Sequence, residues 1–96
     1  MVKLRMDEIL YIESVRDYVK ITTSGKELTV HQSISYLEER LPEHFLRVHR
    51  SFIVAVPKIE SYSSQHIELS GNIEIPIGRT YKNSALKTLD SHIKVL

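Results

Sequence analysis

Ninety-six residues with 42% hydrophobic and 26% charged side chains and a formal net charge of +1 make one ordinary globular domain with a modest core. The chain has no cysteine, which excludes a disulfide framework and a thiolate metal site, and no apolar run approaches the roughly 20 residues of a membrane span. Met1-Val2-Lys3-Leu4-Arg5 leads into acids rather than an apolar signal segment, so a cytoplasmic location without a membrane partner is expected. Val2-Lys3-Leu4 already reads as strand, which points to a domain cut from a longer protein.

The elements follow in chain order. Ile9 to Glu13 reads as a short, mostly buried strand after Asp7-Glu8. Tyr18 to Thr23 alternates with β-branched residues, and Ser24-Gly25 turns it back into Lys26 to Val30; Gly25 is expected to supply a positive φ. Ser35-Tyr36-Leu37-Glu38 has the pattern of a capping box. It predicts a helix of about two turns to Leu41, with Ile34, Leu37 and Leu41 on one face and Pro42 as its stop. Phe45 to Val48 returns to strand. Ser51 to Val56 suits a helical turn as well as a strand, up to Pro57. Ile59 to Tyr62 and His66 to Leu69 read as strands, and Ser70-Gly71-Asn72 turns into Ile73-Glu74-Ile75-Pro76-Ile77, whose isoleucines share one face and predict a one-sided sheet. Gly78 is read as freeing the backbone where Arg79 emerges. Asn83 to Ile93 is read as a helix packed through Leu86, Leu89 and Ile93.

Charge is distributed unevenly along this pattern. From His44 to Lys58 there is no acidic residue, and a second acid-free window, Ile75 to Leu89, carries Arg79, Lys82 and Lys87. A strand needs apolar side chains on one face only, so Arg47, His49 and Arg50, set in an apolar run, are read as facing outward. Donors on a rigid element suit an anionic, patterned partner such as DNA. Either window alone reads equally well as a solvated face; together they suggest two edges of one binding surface.

The residues Phe45-Leu46-Arg47-Val48-His49-Arg50-Ser51-Phe52-Ile53-Val54 and Ile73-Glu74-Ile75-Pro76-Ile77-Gly78-Arg79-Thr80-Tyr81-Lys82 resemble the LytTR family of bacterial DNA-binding domains. Asp7 to Ser14, Tyr18 to Ile21 and Leu37 to Pro42 match the family's opening strands and short helix, so the resemblance covers nearly the whole chain, residues 1–96. It implies a mostly β fold, an elongated antiparallel sandwich of small sheets with one short central helix and a short C-terminal helix. It also implies double-stranded promoter DNA as partner, bound at direct-repeat sites as a dimer through edge loops in the major groove, and an N-terminal receiver domain in a two-component response regulator. Residue 55 is Ala where the family often has Asn, and Gly78 stands where Ser is frequent.

Carried over residue by residue, the base-reading positions match Arg50, Arg79 and, in the loop between Glu13 and Tyr18, Arg16, Asp17 or Tyr18. Two arginines suit guanine readout, because a guanidinium bonds O6 and N7 together. Phosphate contact is assigned to Arg47, His49, Ser51, Lys20, Lys58, Lys82 and Tyr81. Arg47 is expected to grip the DNA backbone or to pair with Glu43. His49 either donates to a phosphate or makes a structural hydrogen bond that orders the Arg50 turn. Tyr81 either donates to a phosphate or sits half-buried at a helix start.

No metal or cofactor is expected: His31, His44, His49, His66 and His92 lack paired ligand spacing. No enzyme is expected either, because no acid lies near His49 and Ser51 to orient a triad and no Gly-rich phosphate loop is present. The alternatives are a protein–protein interaction module using exposed β edges and a single-strand binder, for which only Tyr and Phe offer stacking faces.

Overall fold

The computed structural model describes residues 4–93. Strands β1 (Ile9–Val15), β2 (Tyr18–Thr23) and β3 (Glu27–Val30) form a meander, followed by α1 (Ile34–Arg40), β4 (Phe45–His49) and β5 (Phe52–Ala55). Strands β6 (Ile59–Tyr62), β7 (His66–Leu69) and β8 (Ile73–Pro76) form a second meander, and α2 (Lys82–His92) closes the described chain. All pairings are antiparallel, in a five-stranded sheet of order β3-β2-β1-β5-β4 and a three-stranded sheet of order β6-β7-β8. The molecule measures 42 × 26 × 22 Å, an elongated sandwich of small sheets.

The core divides into two clusters on opposite faces of the five-stranded sheet. On one face Ile9, Ile12, Val19, Ile21 and Ile53 are buried beneath Ile34 of α1, with Leu37, Leu41 and Phe45 packed around them. On the other, Val48 and Val54 meet Ile67, Leu69 and Ile75 of the small sheet and Ala85 and Leu89 of α2. Because β5 is covered on both sides, Ile53, Val54 and Ala55 are buried in succession, which resolves the ambiguous Ser51–Val56 segment as strand followed by a 3₁₀ turn, Val56–Lys58. The small sheet is one-sided, as its isoleucines predict: β7 alternates exposed and buried, and Ile73, Ile75 and Ile77 all pack on the core.

Several local expectations are corrected. The helix cap is Ser33, not Ser35: its side chain accepts from the Tyr36 amide at 3.0 Å, and the helix starts at Ile34 so that this residue is buried. Gly25 has no positive φ. The β2–β3 turn is held instead by Thr23, whose hydroxyl donates to the Lys26 carbonyl and accepts from the Lys26 amide. Left-handed backbone occurs at Gly71 and Asn72 in the β7–β8 turn and at Arg16 (φ 56) in the two-residue β1–β2 turn. Leu4 lies outside any strand, and Val2 and Lys3 lie outside the described residues. Helix α2 begins at Lys82 after a 3₁₀ turn, Arg79–Tyr81, and turns Ala85 and Leu89 inward with Leu86 only half-buried.

Candidate nucleic-acid interface

The strand order brings three loops to one end of the five-stranded sheet. Strand β1 runs toward its turn at Arg16-Asp17, and its neighbour β5 runs away from the turn at Arg50-Ser51, with Glu13 opposite Phe52. The Ser14 amide donates to the Ser51 carbonyl at 2.8 Å and ties the two turns together. The third loop joins through Gly78, whose amide donates to the Val48 carbonyl at 2.8 Å. A shallow cavity of about 150 Å³ between the second and third loops is lined by His49, Arg50, Gly78, Arg79, Thr80 and Tyr81. The two acid-free windows therefore meet in space.

Gly78 serves this meeting by closeness rather than by backbone freedom, which corrects the reading from sequence. Its φ is −71, open to any residue. A Cβ at this position would lie 3.2 Å from His49 Cδ2, 3.3 Å from His49 Cα and 3.3 Å from Tyr81 Cδ2.

The Arg50 turn is held from its flanks. The Ser51 amide donates to His49 Nδ1 at 3.0 Å, which leaves the ring hydrogen on Nε2. His49 is half-buried with its ring edge-on to Phe52 at 5.5 Å, and the structural hydrogen bond that orders the Arg50 turn is present. Arg47 does not face outward. Its side chain is 10% exposed, and the guanidinium bonds Glu38 Oε1 of α1 at 2.7 Å, not Glu43. It also donates to the carbonyls of His49 at 2.9 Å and Arg50 at 2.5 Å. The Tyr81 ring lies 5.6 Å from its Cζ. Covering β4 and β5 from both sides is what turns Arg47 inward.

The other expected contacts are scattered. Tyr81 is half-buried beside Arg47, and Lys82 follows it at the start of α2. Lys20 sits mid-strand on β2, 3.8 Å from Glu27. Lys58 is not brought to this end. It lies past the far end of β5, where it lines an apolar cavity with Met6, Asp7, Ile9, His44, Ala55 and Pro57. His31 was not singled out by sequence, yet its ring lies 6.1 Å from that of Tyr18 at the loop end; the signal was β3's register, which pairs Val30 with Val19. Glu38 was missed as the partner of Arg47, because Glu43 stands nearer in sequence.

The six arginines sort cleanly. Arg5 pairs with Asp7 and Glu8, Arg40 with Glu39 and Arg47 with Glu38. Arg16, Arg50 and Arg79 are exposed and, among the described residues, make no ion pair. Those three are the arginines on the three clustered loops. No group of acids and histidines among the described residues is arranged to hold a metal, and no described helix is long and apolar enough to cross a membrane.

Comparison with known proteins agrees with this architecture. A solved LytTr DNA-binding domain of a methyl-accepting/DNA response regulator from Bacillus cereus superposes with a TM-score of 0.81 at 23% identity, over 92% of this chain and 85% of that one, and speaks for the fold. The sensory transduction protein LytT is 29% identical over 94 residues in Bacillus cereus and 30% identical over 88 residues in Bacillus subtilis. The CO-responsive transcriptional regulator RcoM of Rhodospirillum rubrum is 30% identical over 78 residues. These matches take in 92%, 85% and 74% of this chain but only 38%, 36% and 33% of the relatives' lengths, so the chain spans about a third of the proteins it resembles. The profile of the LytTr DNA-binding domain matches residues 1–90, and with a two-sheet β fold of the same kind the chain belongs to the family of LytTr DNA-binding domains.

Proposed function

We propose that this domain binds double-stranded DNA sequence-specifically in transcription regulation, through the β1–β2 turn, the β4–β5 turn and the Gly78-Arg79 loop. The observation that carries the reading is the sorting of the arginines: among the described residues the three on these loops make no ion pair, while the other three each have an acid at 2.7–3.8 Å. An unpaired guanidinium on a short turn is free to meet a guanine edge, where a bidentate pair is worth about 1–3 kcal/mol of discrimination. Arg50 and Arg79 are the base readers in this reading, with Arg16 and its neighbours Asp17 and Tyr18 at the third loop. Lys82, Tyr81, Ser51 and the Nε2–H of His49 lie beside them and suit phosphate oxygens, which fix register without reading sequence. Family membership supports DNA as the ligand, and the regulatory names of the relatives support transcription as the setting. Two copies on direct-repeat promoter sites, each joined to an N-terminal receiver domain, complete the proposal.

In vitro selection of bound duplexes from a random pool tests it. The expected result is enrichment of a short consensus whose affinity falls with salt, because phosphate contacts release counterions at about −0.9 per contact on a log–log plot. A pool that enriches nothing, or binding indifferent to salt, refutes the proposal and favours a protein-docking role for the exposed β edges.

A further inference from the structure

We propose that Arg47 is a positioning residue for base readout: it sets the Arg50 turn against α1 and the Arg79 loop without touching DNA. The inference rests on the DNA-binding reading above and adds a division of labour between arginines. A two-residue turn leaves backbone carbonyls without strand partners. Here Arg47 Nε takes the His49 carbonyl and Arg47 Nη2 the Arg50 carbonyl. The remaining donor face, at Nη1, is bound by Glu38 of α1. The guanidinium thus has three fixed directions, two used by the turn and the third by α1.

Both backbone groups of Ser51 are satisfied independently. The Ser51 amide is taken by His49 Nδ1, and the Ser51 carbonyl accepts from Ser14. The Arg50 side chain makes no ion pair among the described residues, so the turn offers its reader with little backbone ordering left to do on binding. The Tyr81 ring on the other side of Arg47 extends the arrangement to the 3₁₀ turn that carries Arg79. A lysine at position 47 keeps the charge but lacks the planar fork, so it cannot hold the helix and both carbonyls together.

The test compares the wild-type domain with the Arg47→Lys and Glu38→Gln variants, using the selected duplex, a random duplex and hydrogen exchange in the free protein. For Arg47→Lys the expected outcome is roughly tenfold faster exchange at the hydrogen-bonded Ser51 and Ser14 amides with unchanged protection at Ile12 and Ile53. The ratio of specific to random affinity should fall by about tenfold or more while random binding stays within about twofold. Glu38→Gln, which keeps an acceptor but loses the charge, should give a smaller change of the same kind. Equal weakening on both duplexes, with a salt slope shallower by about one unit, would make Arg47 a phosphate contact and overturn the inference. Unchanged exchange or an unchanged specificity ratio also overturns it. If Arg47→Lys fails to fold, Glu38→Gln decides by the same two readouts. A wild-type domain that prefers no duplex refutes the function itself; a selective wild type with equally selective variants refutes only this inference.

Discussion

Adding a single methyl group at Gly78 tests how tightly the Arg50 and Arg79 loops are joined. The backbone there, φ −71 and ψ 147, accepts alanine without strain, so Gly78→Ala should gain about 0.4–1 kcal/mol from the less flexible unfolded chain. Against this stand the contacts. The new Cβ would lie 3.2 Å from His49 Cδ2, 3.3 Å from His49 Cα and 3.3 Å from Tyr81 Cδ2. Carbon pairs prefer about 3.5–4.0 Å, so these must open by a few tenths of an ångström. His49 cannot yield freely, because its Nδ1 holds the Ser51 amide and its ring is packed on Phe52. Overpacking of this kind costs about 1–3 kcal/mol, leaving a net loss near 1 kcal/mol and a Tm lower by roughly 4–8 °C. Gly25→Ala is the matched control: nothing lies within 4 Å of its Cβ and φ is not positive, so it should be stabilised by about 0.4–1 kcal/mol. Thermal melts followed by circular dichroism compare the two. If Gly78→Ala gained stability as Gly25→Ala does, the close approach of the loops would be wrong. Binding of Gly78→Ala to the selected duplex should weaken more than binding to random DNA, since the shift moves Arg79 relative to Arg50.

Arg50→Ala and Arg79→Ala should each cost about 1–3 kcal/mol on the selected duplex and little on random DNA, read by titration on both; equal losses on both would mark a phosphate contact. Lys82→Ala should flatten the log–log salt slope by about one unit, whereas Lys58→Ala, at the far end of β5, should leave it unchanged; a shallower slope for Lys58→Ala would place DNA on the wrong end of the sheet. The Tyr62 hydroxyl donates to Asp90 Oδ1, and this hydrogen bond raises the Tyr62 pKa above its ordinary 10.0. The contribution is present below the ordinary tyrosine value and lost as pH rises through the elevated one, so Tyr62→Phe should melt lower than wild type at pH 8 and converge with it in strong alkali. Parallel melting curves across that range would exclude the link.

Much of this arrangement was readable from residues alone. The small sheet has one wet face, so Ile73, Ile75 and Ile77 announced it by simple alternation. The convergence of the Arg50 and Arg79 loops was legible as two acid-free windows. Arg47 was misread because alternation assigns a side only when one face is wet, and β4 and β5 are covered on both. Lys58 is carried away from the loops because the Ser51–Val56 segment is extended, a choice the sequence pattern left open between strand and helical turn. The closeness of Gly78 to His49 is a tertiary contact between residues far apart in sequence, invisible to any turn rule. Ser33 and Ser35 both suit a cap; burial of Ile34 chose between them.

Arg16 holds a left-handed backbone, φ 56, at the tip of the β1–β2 turn. Non-glycine residues bear a penalty of about 1–2 kcal/mol there, which glycine or asparagine would largely avoid. The most stable sequence for this fold is therefore not the one that carries a cation on that loop. Directed evolution for heat resistance alone would be drawn to replace Arg16 and would return a sturdier domain without the arginine of its β1–β2 turn. If Arg16 meets DNA as proposed, selection for tight DNA binding would keep it and hold stability below the level the scaffold could reach.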